Sequence, residues 1–500
     1  MAHALRVKAT ALIDRPLTWR QVADVAAGAQ LAVADAARDR VRAAHALVES
    51  IVAQGVRAYG VNTGVGALCD VVVTESKQAE LSRNIVMSHA VGVGPLLDAA
   101  EVRAIMAAAV NNFCHGYSGV RPAVIDRMVA LLAHDCVPDV PSMGSVGYLS
   151  HMAHIALVLI GAGRARWQGR ALDGAAALAA IGLAPLALAA KEGLSLVNGT
   201  PCVTGLAAVA LGRSERLLDW ADAIAAMCFE NLHGQIAAFD AEPLALRVSA
   251  GVARVGANLR TALQGSEILR VSAGRRTQDA LSLRAVPQVH GAARDLFAQV
   301  ARGVDAELES VTDNPVVTGT IAAPRALSGA NAIGAGLSLG ANALGTAVAE
   351  LAAMSERRMD RLVNPLVSGL PPFLAVEGGT ASGFMIAQYT AVSLVADNRR
   401  LAAPSSLDGG ITSGLQEDHL SHATPGAVKL LKILDNAETV LAIELLAAAQ
   451  AYEMQPGSQA RAAGTDRIYR RVRLQIPTYR DDRPLHTDIE AARAIVREPL

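Results

Sequence analysis

The strongest constraint on this chain is a set of long windows in which apolar residues recur at helical spacing: residues 22–51, 101–133, 203–226, 335–354, 385–401 and 427–451. Alanine and leucine dominate them, and a 3.6-residue period sustained over such lengths reads as helix. Several windows are apolar on nearly every face, as in a helix at the centre of a bundle or at a subunit interface. A mainly α protein follows. With 52% hydrophobic and only 3% aromatic residues, five hundred residues are ample for a large buried core, and length alone suggests two or more domains.

Charge narrows the partners. Forty-five Lys and Arg against 46 Asp and Glu leave a formal net charge of -1, and no basic run marks a nucleic-acid or anionic-membrane surface. A small molecule is the expected partner. Cys69, Cys114, Cys136, Cys202 and Cys228 are few, odd in number and without metal-ligand spacing, so ordinary reduced thiols, no metal and a cytoplasmic protein are expected. The first residues, MAHALRVKATALIDRPLTW, break their apolar positions with charges and show no signal-peptide core. The apolar run 174–190 is Ala-rich, contains Pro185 and is short for a bilayer, so a buried helix pair or loop is expected there and no membrane span.

The N-terminal part carries glycine-punctuated runs instead. Residues 59–66 and 137–147 are rich in Gly, Pro, Ser and Asn, which suit turns and close approach of backbone to ligand. Site chemistry is expected on these loops. Further along come Ser88-His89, Gly116-Tyr117-Ser118-Gly119-Val120-Arg121, Lys191-Glu192-Gly193-Leu194-Ser195-Leu196-Val197-Asn198-Gly199-Thr200, Gln278-Asp279, Ser282-Leu283-Arg284 and Pro287-Gln288-Val289-His290-Gly291. Val311-Thr312-Asp313-Asn314-Pro315, Ser328-Gly329, Ser382-Gly383-Phe384-Met385 and Gln416-Glu417-Asp418-His419 follow, with a weaker tail at Asp482-Arg483-Pro484-Leu485.

In this order, these motifs resemble the aromatic amino acid lyase superfamily, the histidine and phenylalanine ammonia-lyases. The resemblance implies an ammonia-lyase/fumarase-like fold with a long central helical bundle. The expected divisions are an N-terminal loop-and-helix domain (1–200), the bundle (201–425) and a C-terminal helical tail (426–500). It also implies a homotetramer whose sites draw on three subunits.

By the same resemblance Tyr59 is the base that removes a proton beta to the carboxylate, which calls for nearby positive charge or hydrogen-bond donors to lower its pKa. Taken alone it would be a loop-capping tyrosine. Arg284, Asn198 and Gln278 match the positions that hold the substrate carboxylate, for which the planar guanidinium fork is suited. His89, Met385 and Glu417 match the positions around an imidazole ring. Glu417 can accept a ring N–H, whereas an apolar ring gains nothing from a carboxylate that must be desolvated. Outside their motifs His89 would read as a structural histidine and Met385 as core filler. Lys191 reads as architecture around Asn198, or as support that holds a carboxylate or depresses the tyrosine pKa.

Several positions depart from the resembling family. Its members cyclise an internal Ala-Ser-Gly into the electrophile methylidene-imidazolone, and a gapless alignment puts that triad on Ser145, Val146 and Gly147. Valine has no hydroxyl to lose. An alternative alignment, pairing Gly-Ser-Val-Gly with residues 144–147, deletes the triad. Leu281 stands where the family has a tyrosine, and Ala330, Ala332 and Ile333 fall in a segment where it has Gly, Phe and His. Ala381-Ser382-Gly383 also spells the triad, but the resemblance places it on a core helix, whose backbone cannot make the tight turn that cyclisation requires. The resulting expectation is no cofactor, an MIO-free histidine ammonia-lyase-like or ergothionase-like branch, and elimination of trimethylamine from histidine betaine or thiohistidine betaine. The alternatives are conventional histidine or aromatic amino acid ammonia-lyase activity, an isomerase or hydratase on the same scaffold, and a non-catalytic structural paralogue.

Overall fold

The computed structural model describes residues 9–407 and 409–500; the first eight residues of the N-terminal segment read above lie outside them. The fold is mainly α, as expected. Packing divides the chain into two units of discontinuous segments: Met1–Gly212, Val300–Asn342 and Pro404–Val428 in the first, Arg213–Gln299, Ala343–Ala403 and Lys429–Leu500 in the second. The sequence suggested contiguous divisions near 200 and 425. Four long helices, Pro201–Asn231, Val286–Glu309, Ala335–Val363 and Ala423–Glu453, each contribute residues to both units.

In the first unit the Ala99–Cys114 helix is buried on every face from Val102 onward. An Asp98–Glu101 capping box opens it, with Glu101 Oε2 accepting the Asp98 N–H at 2.8 Å. The window 101–133 divides because Gly116 takes a left-handed φ of 82° and Pro122 starts a new helix, Pro122–Ala133. The window 22–51 divides likewise into Trp19–Ala26 and Asp35–Ala53, with a strand, Gln30–Val33, between them pairing parallel with Thr10–Ile13. The remaining strands pair antiparallel, Val93–Leu96 on Pro141–Met143, Val316–Thr320 on Ala323–Leu327, and Val137–Pro138, Arg164–Trp167 and Arg170–Asp173 in one three-stranded sheet. Ala44, Val48 and Ile51 of one helix pack with Ala58, Val61 and Val317, and this cluster anchors the loop that carries Tyr59.

The second unit is helical around a buried ionic network. Arg358 is fully buried and its Nε donates to Glu444 Oε1 at 2.6 Å, while Ser355 Oγ donates to Glu444 Oε2. His290 lies 2.8 Å from Asp222, which also accepts from Arg294 at 2.6 Å. Such groups must be mutually satisfied, because a lone buried charge costs several kcal/mol (~3–5).

The stretch 174–190 is a short helix, Gly174–Ala180, followed by non-helical chain. The helical stretch Glu192–Asn231 and the Ala335–Val363 helix are long and apolar enough to cross a bilayer; their most apolar windows are 94% and 56% buried inside the structure.

Candidate active site

A six-residue helix, Glu192–Val197, is the keel of the site in the first unit. Lys191 precedes it with a left-handed φ of 68°. Glu192 is buried and held by Arg121, whose Nε and Nη2 donate to it at 2.8 and 2.7 Å; the Ala189 N–H donates at 2.7 Å. The hydrogen bonding of Arg121 to Glu192, and then the Glu192 charge, raise the Arg121 pKa against the cost of burial. Gly193 lies against the backbone of Ser82 so closely that a Cβ would sit 2.0 Å from the Ser82 carbonyl oxygen. The keel therefore presses on the Gln78–His89 helix, which ends in His89. Leu194 meets the Tyr59 loop at Gly60, where φ is 62° and a Cβ would come within 2.2 Å of Leu194 Cδ2. Asn198 caps the far end.

Tyr59 and His89 are both half-buried and both feel the charge of Glu417. The Gly66 N–H donates to the Tyr59 hydroxyl oxygen at 2.9 Å. Burial raises the Tyr59 pKa most; the Gly66 bond lowers it, and Glu417 and Cys69 raise it further. The expected lowering of this pKa is thus corrected: desolvation and a neighbouring carboxylate outweigh one amide donor. Burial lowers the His89 pKa, against the Ile85 carbonyl and Glu417, so its ring is held neutral. Its Nδ1 lies 3.1 Å from Ser88 Oγ. Glu417 Oε2 accepts from the Thr412 hydroxyl at 2.9 Å.

Lys191 forms a buried cluster behind the keel. Its Nζ donates to Ser195 Oγ at 2.8 Å and Asp313 Oδ2 at 3.1 Å. Burial lowers the Lys191 pKa, while Asp313 raises it. Asn198 Nδ2 donates to Asp313 Oδ1 at 3.2 Å and to the Asn314 carbonyl at 2.6 Å. Both amide donors of Asn198 are therefore engaged, and its Oδ1 is the atom left to face a ligand. Asp313 and Ser195 stand in sequence motifs that announce no role for them; their pairing with Lys191 is a contact in space that no sequence spacing shows.

The second unit holds the other expected residues. Arg284 ends the Leu281–Arg284 helix and its Nη1 donates to Gln278 Oε1. Both line a cavity of about 490 Å³ with Gln235, Asp279, Leu281 and Gln288. Met385 starts the Met385–Leu401 helix and is half-buried.

Residues 145–149 are non-helical. Ser145 Oγ donates to the Tyr148 carbonyl at 2.8 Å and accepts the Gly147 N–H at 3.1 Å. The Val146 carbonyl accepts the His422 N–H at 2.8 Å. Tyr148, unassigned from sequence, is half-buried and feels the charges of Glu417 and Tyr59. Its only signal was its place directly after Gly144-Ser145-Val146-Gly147. Ala381-Ser382-Gly383 is not on a helix, which corrects the reason for setting it aside: the helix begins at Met385, Gly383 has φ 56°, and the Ser382 and Gly383 N–H groups donate to Asp482 at 2.7 and 3.1 Å.

A family model described as aromatic amino acid lyase matches residues 17–474. A histidine ammonia-lyase of Sorangium cellulosum (strain So ce56) is 42% identical over 498 residues, covering 97% of each chain. The crystal structure of histidine ammonia-lyase from Trypanosoma cruzi superposes with a TM-score of 0.90 at 33% identity, over 98% of this chain and 93% of that one. The ergothioneine-degrading ergothionase of Treponema denticola, in complex with desmethyl-ergothioneine sulfonic acid, gives a TM-score of 0.91 at 28% identity, over 98% of each.

These similarities overturn the expectation of no cofactor. The matched family is the methylidene-imidazolone-containing group of histidine and phenylalanine ammonia-lyases, and histidine ammonia-lyases at this similarity use that cofactor. Residues 145–147 as folded do not fit the group's precursor, since the central side chain is an isopropyl group.

Proposed function

The chain belongs to the aromatic amino acid lyase family as a carbon–nitrogen lyase of its histidine ammonia-lyase group, and from that premise we propose that it eliminates an amine from a histidine-like substrate. The favoured reaction releases trimethylamine from histidine betaine or 2-thiohistidine betaine, leaving a urocanate-type acid. The observation that carries the ring preference is Glu417, an acceptor-only carboxylate whose charge reaches both Tyr59 and a neutral His89. Similarity to an ergothioneine-degrading enzyme over 98% of the chain supports the betaine.

In this reading Tyr59 removes the beta proton. The C–H electron pair becomes the Cα–Cβ double bond, and the C–N bond breaks with its pair leaving on nitrogen. Trimethylamine departs neutral and takes no proton. The raised pKa of Tyr59 also favours a permanently cationic substrate, because a fixed positive charge beside the phenol opposes burial and Glu417. Arg284 and Gln278 hold the carboxylate; Asn198, expected beside them, has both amide donors taken by Asp313 and the Asn314 carbonyl, so it offers a ligand only an acceptor and is fixed there by Lys191 through Asp313; His89, Met385 and Glu417 hold the ring. The protein acts in the cytoplasm as a homotetramer.

The histidine ammonia-lyase relatives at about 42% identity favour a second reading, ammonia release from histidine. Both are tested by offering the purified protein L-histidine and the two betaines, following the conjugated product by ultraviolet absorbance and assaying the amine released. Trimethylamine from a betaine, with histidine turned over far more slowly, is expected. Rapid ammonia release from histidine with neither betaine consumed would leave the second reading standing.

A further inference from the structure

Residues 412–424 of the first unit hold Glu417 between two clasps. At one end the Ala67 N–H donates to Ser413 Oγ at 3.2 Å, tying the segment to the loop of Tyr59. At the other, the His422 N–H donates to the Val146 carbonyl and the Thr424 hydroxyl to the Gly147 carbonyl, both at 2.8 Å. This second clasp fixes the loop that ends in Tyr148. Ser145 braces the same loop from within, and Leu149, at φ 82°, turns the chain into the Ser150–Leu159 helix. One segment thus holds an acid and the loops of two phenols. Among the described residues no protein group hydrogen-bonds the half-buried Tyr148 hydroxyl.

We propose that Tyr148 is a specificity residue of the site, its hydroxyl donating a hydrogen bond to the ring of a substrate whose other edge is held by Glu417. A neutral imidazole has one N–H and one lone pair. Glu417 accepts the N–H, and the lone pair then needs a donor, since a buried acceptor left without one is costly. Ser88 Oγ gives its proton to the Ile85 carbonyl at 3.3 Å, so the His89 Nδ1–H donates to Ser88 Oγ and the neutral ring's Nε2 is left an acceptor, not a donor. Burial, then the charges of Glu417 and Tyr59, push the Tyr148 phenol up to about 12. It therefore stays a donor throughout the neutral range and leaves proton abstraction to Tyr59.

The inference rests on the histidine-like substrate proposed above, and the test separates the two. Imidazolepropionate and phenylpropionate, which cannot react, are titrated by calorimetry into the full-length wild type and Tyr148→Phe. The variant is expected to bind imidazolepropionate roughly three- to ten-fold more weakly and phenylpropionate unchanged. Equal losses for both ligands, no loss for either, or a wild type without preference for imidazolepropionate would overturn it. Betaine and histidine turnover is measured on the same preparations. Selectivity lost in Tyr148→Phe without turnover by the wild type sinks the proposed reaction and keeps Tyr148; turnover with selectivity unchanged in the variant does the reverse.

Discussion

Tyr59 enters the resting site as a phenol, and two neighbours decide how it can lose its proton. Burial and Glu417 both raise its pKa, so deprotonation becomes easier when that carboxylate is neutralised. Glu417→Gln is expected to move the alkaline-rising limb of kcat/KM toward lower pH, because the ionised phenol no longer faces a negative charge. The same variant should weaken an imidazole ligand about ten- to a hundred-fold, the cost of removing one partner of a charged hydrogen bond. A pH-rate profile paired with ligand titration checks both; a limb that stays in place would remove Glu417 from the field acting on Tyr59. Tyr59→Phe should instead lower kcat about a hundred- to ten-thousand-fold with ring affinity kept. The identity of these residues was legible in their motifs. Their electrostatics were not, because Glu417 reaches Tyr59 through folding and not through chain proximity. Asn198 shows the same gap: its place in the site was readable, but the capture of both its amide donors by Asp313 and Asn314 was not.

Helix Glu192–Val197 has only six residues, and its position depends on how closely neighbouring backbones approach it. Gly193→Ala would drive a methyl group into the Ser82 carbonyl and separate the keel from the helix that ends in His89. Overpacking of this kind costs about 1–3 kcal/mol, to be read as a lower urea midpoint with a larger fall in turnover than in stability. Wild-type turnover in Gly193→Ala would show that the approach does not set the site. The helical windows were legible where the apolar period runs unbroken, as at Met385–Leu401, which begins and ends where the pattern does. Boundaries failed where one left-handed residue interrupts a continuing apolar pattern, as at Gly116 and at Gly28, with φ of 82° and 107°. The short strands escaped because pairs and triplets of residues, such as Val137–Pro138 and Pro141–Met143, carry no usable alternation.

Across the whole chain, apolar surface is left over. On the Met385–Leu401 helix, Ile386, Tyr389 and Val392 stand three apart and are 60%, 67% and 45% exposed, a stripe that a stable soluble particle normally covers. Multi-angle light scattering is expected to give four chains per particle, and Tyr389→Glu to shift it toward smaller species; a wild type that elutes as a single chain would contradict the homotetramer. The sequence showed that such helices need company, but its contiguous boundaries at 200 and 425 followed chain order, whereas long helices such as Pro201–Asn231 carry the chain from one packed unit into the other. That path also affects how the protein is made. Lys191 waits for Asp313, 122 residues downstream, to neutralise it, and the Tyr59 loop waits still longer for Ser413. On the ribosome, a half-synthesised chain therefore carries a buried-to-be lysine with no counter-ion and a phenol with no acid beside it. Competence arrives only when the late segments dock, so an interrupted or truncated product is inert and not merely slow.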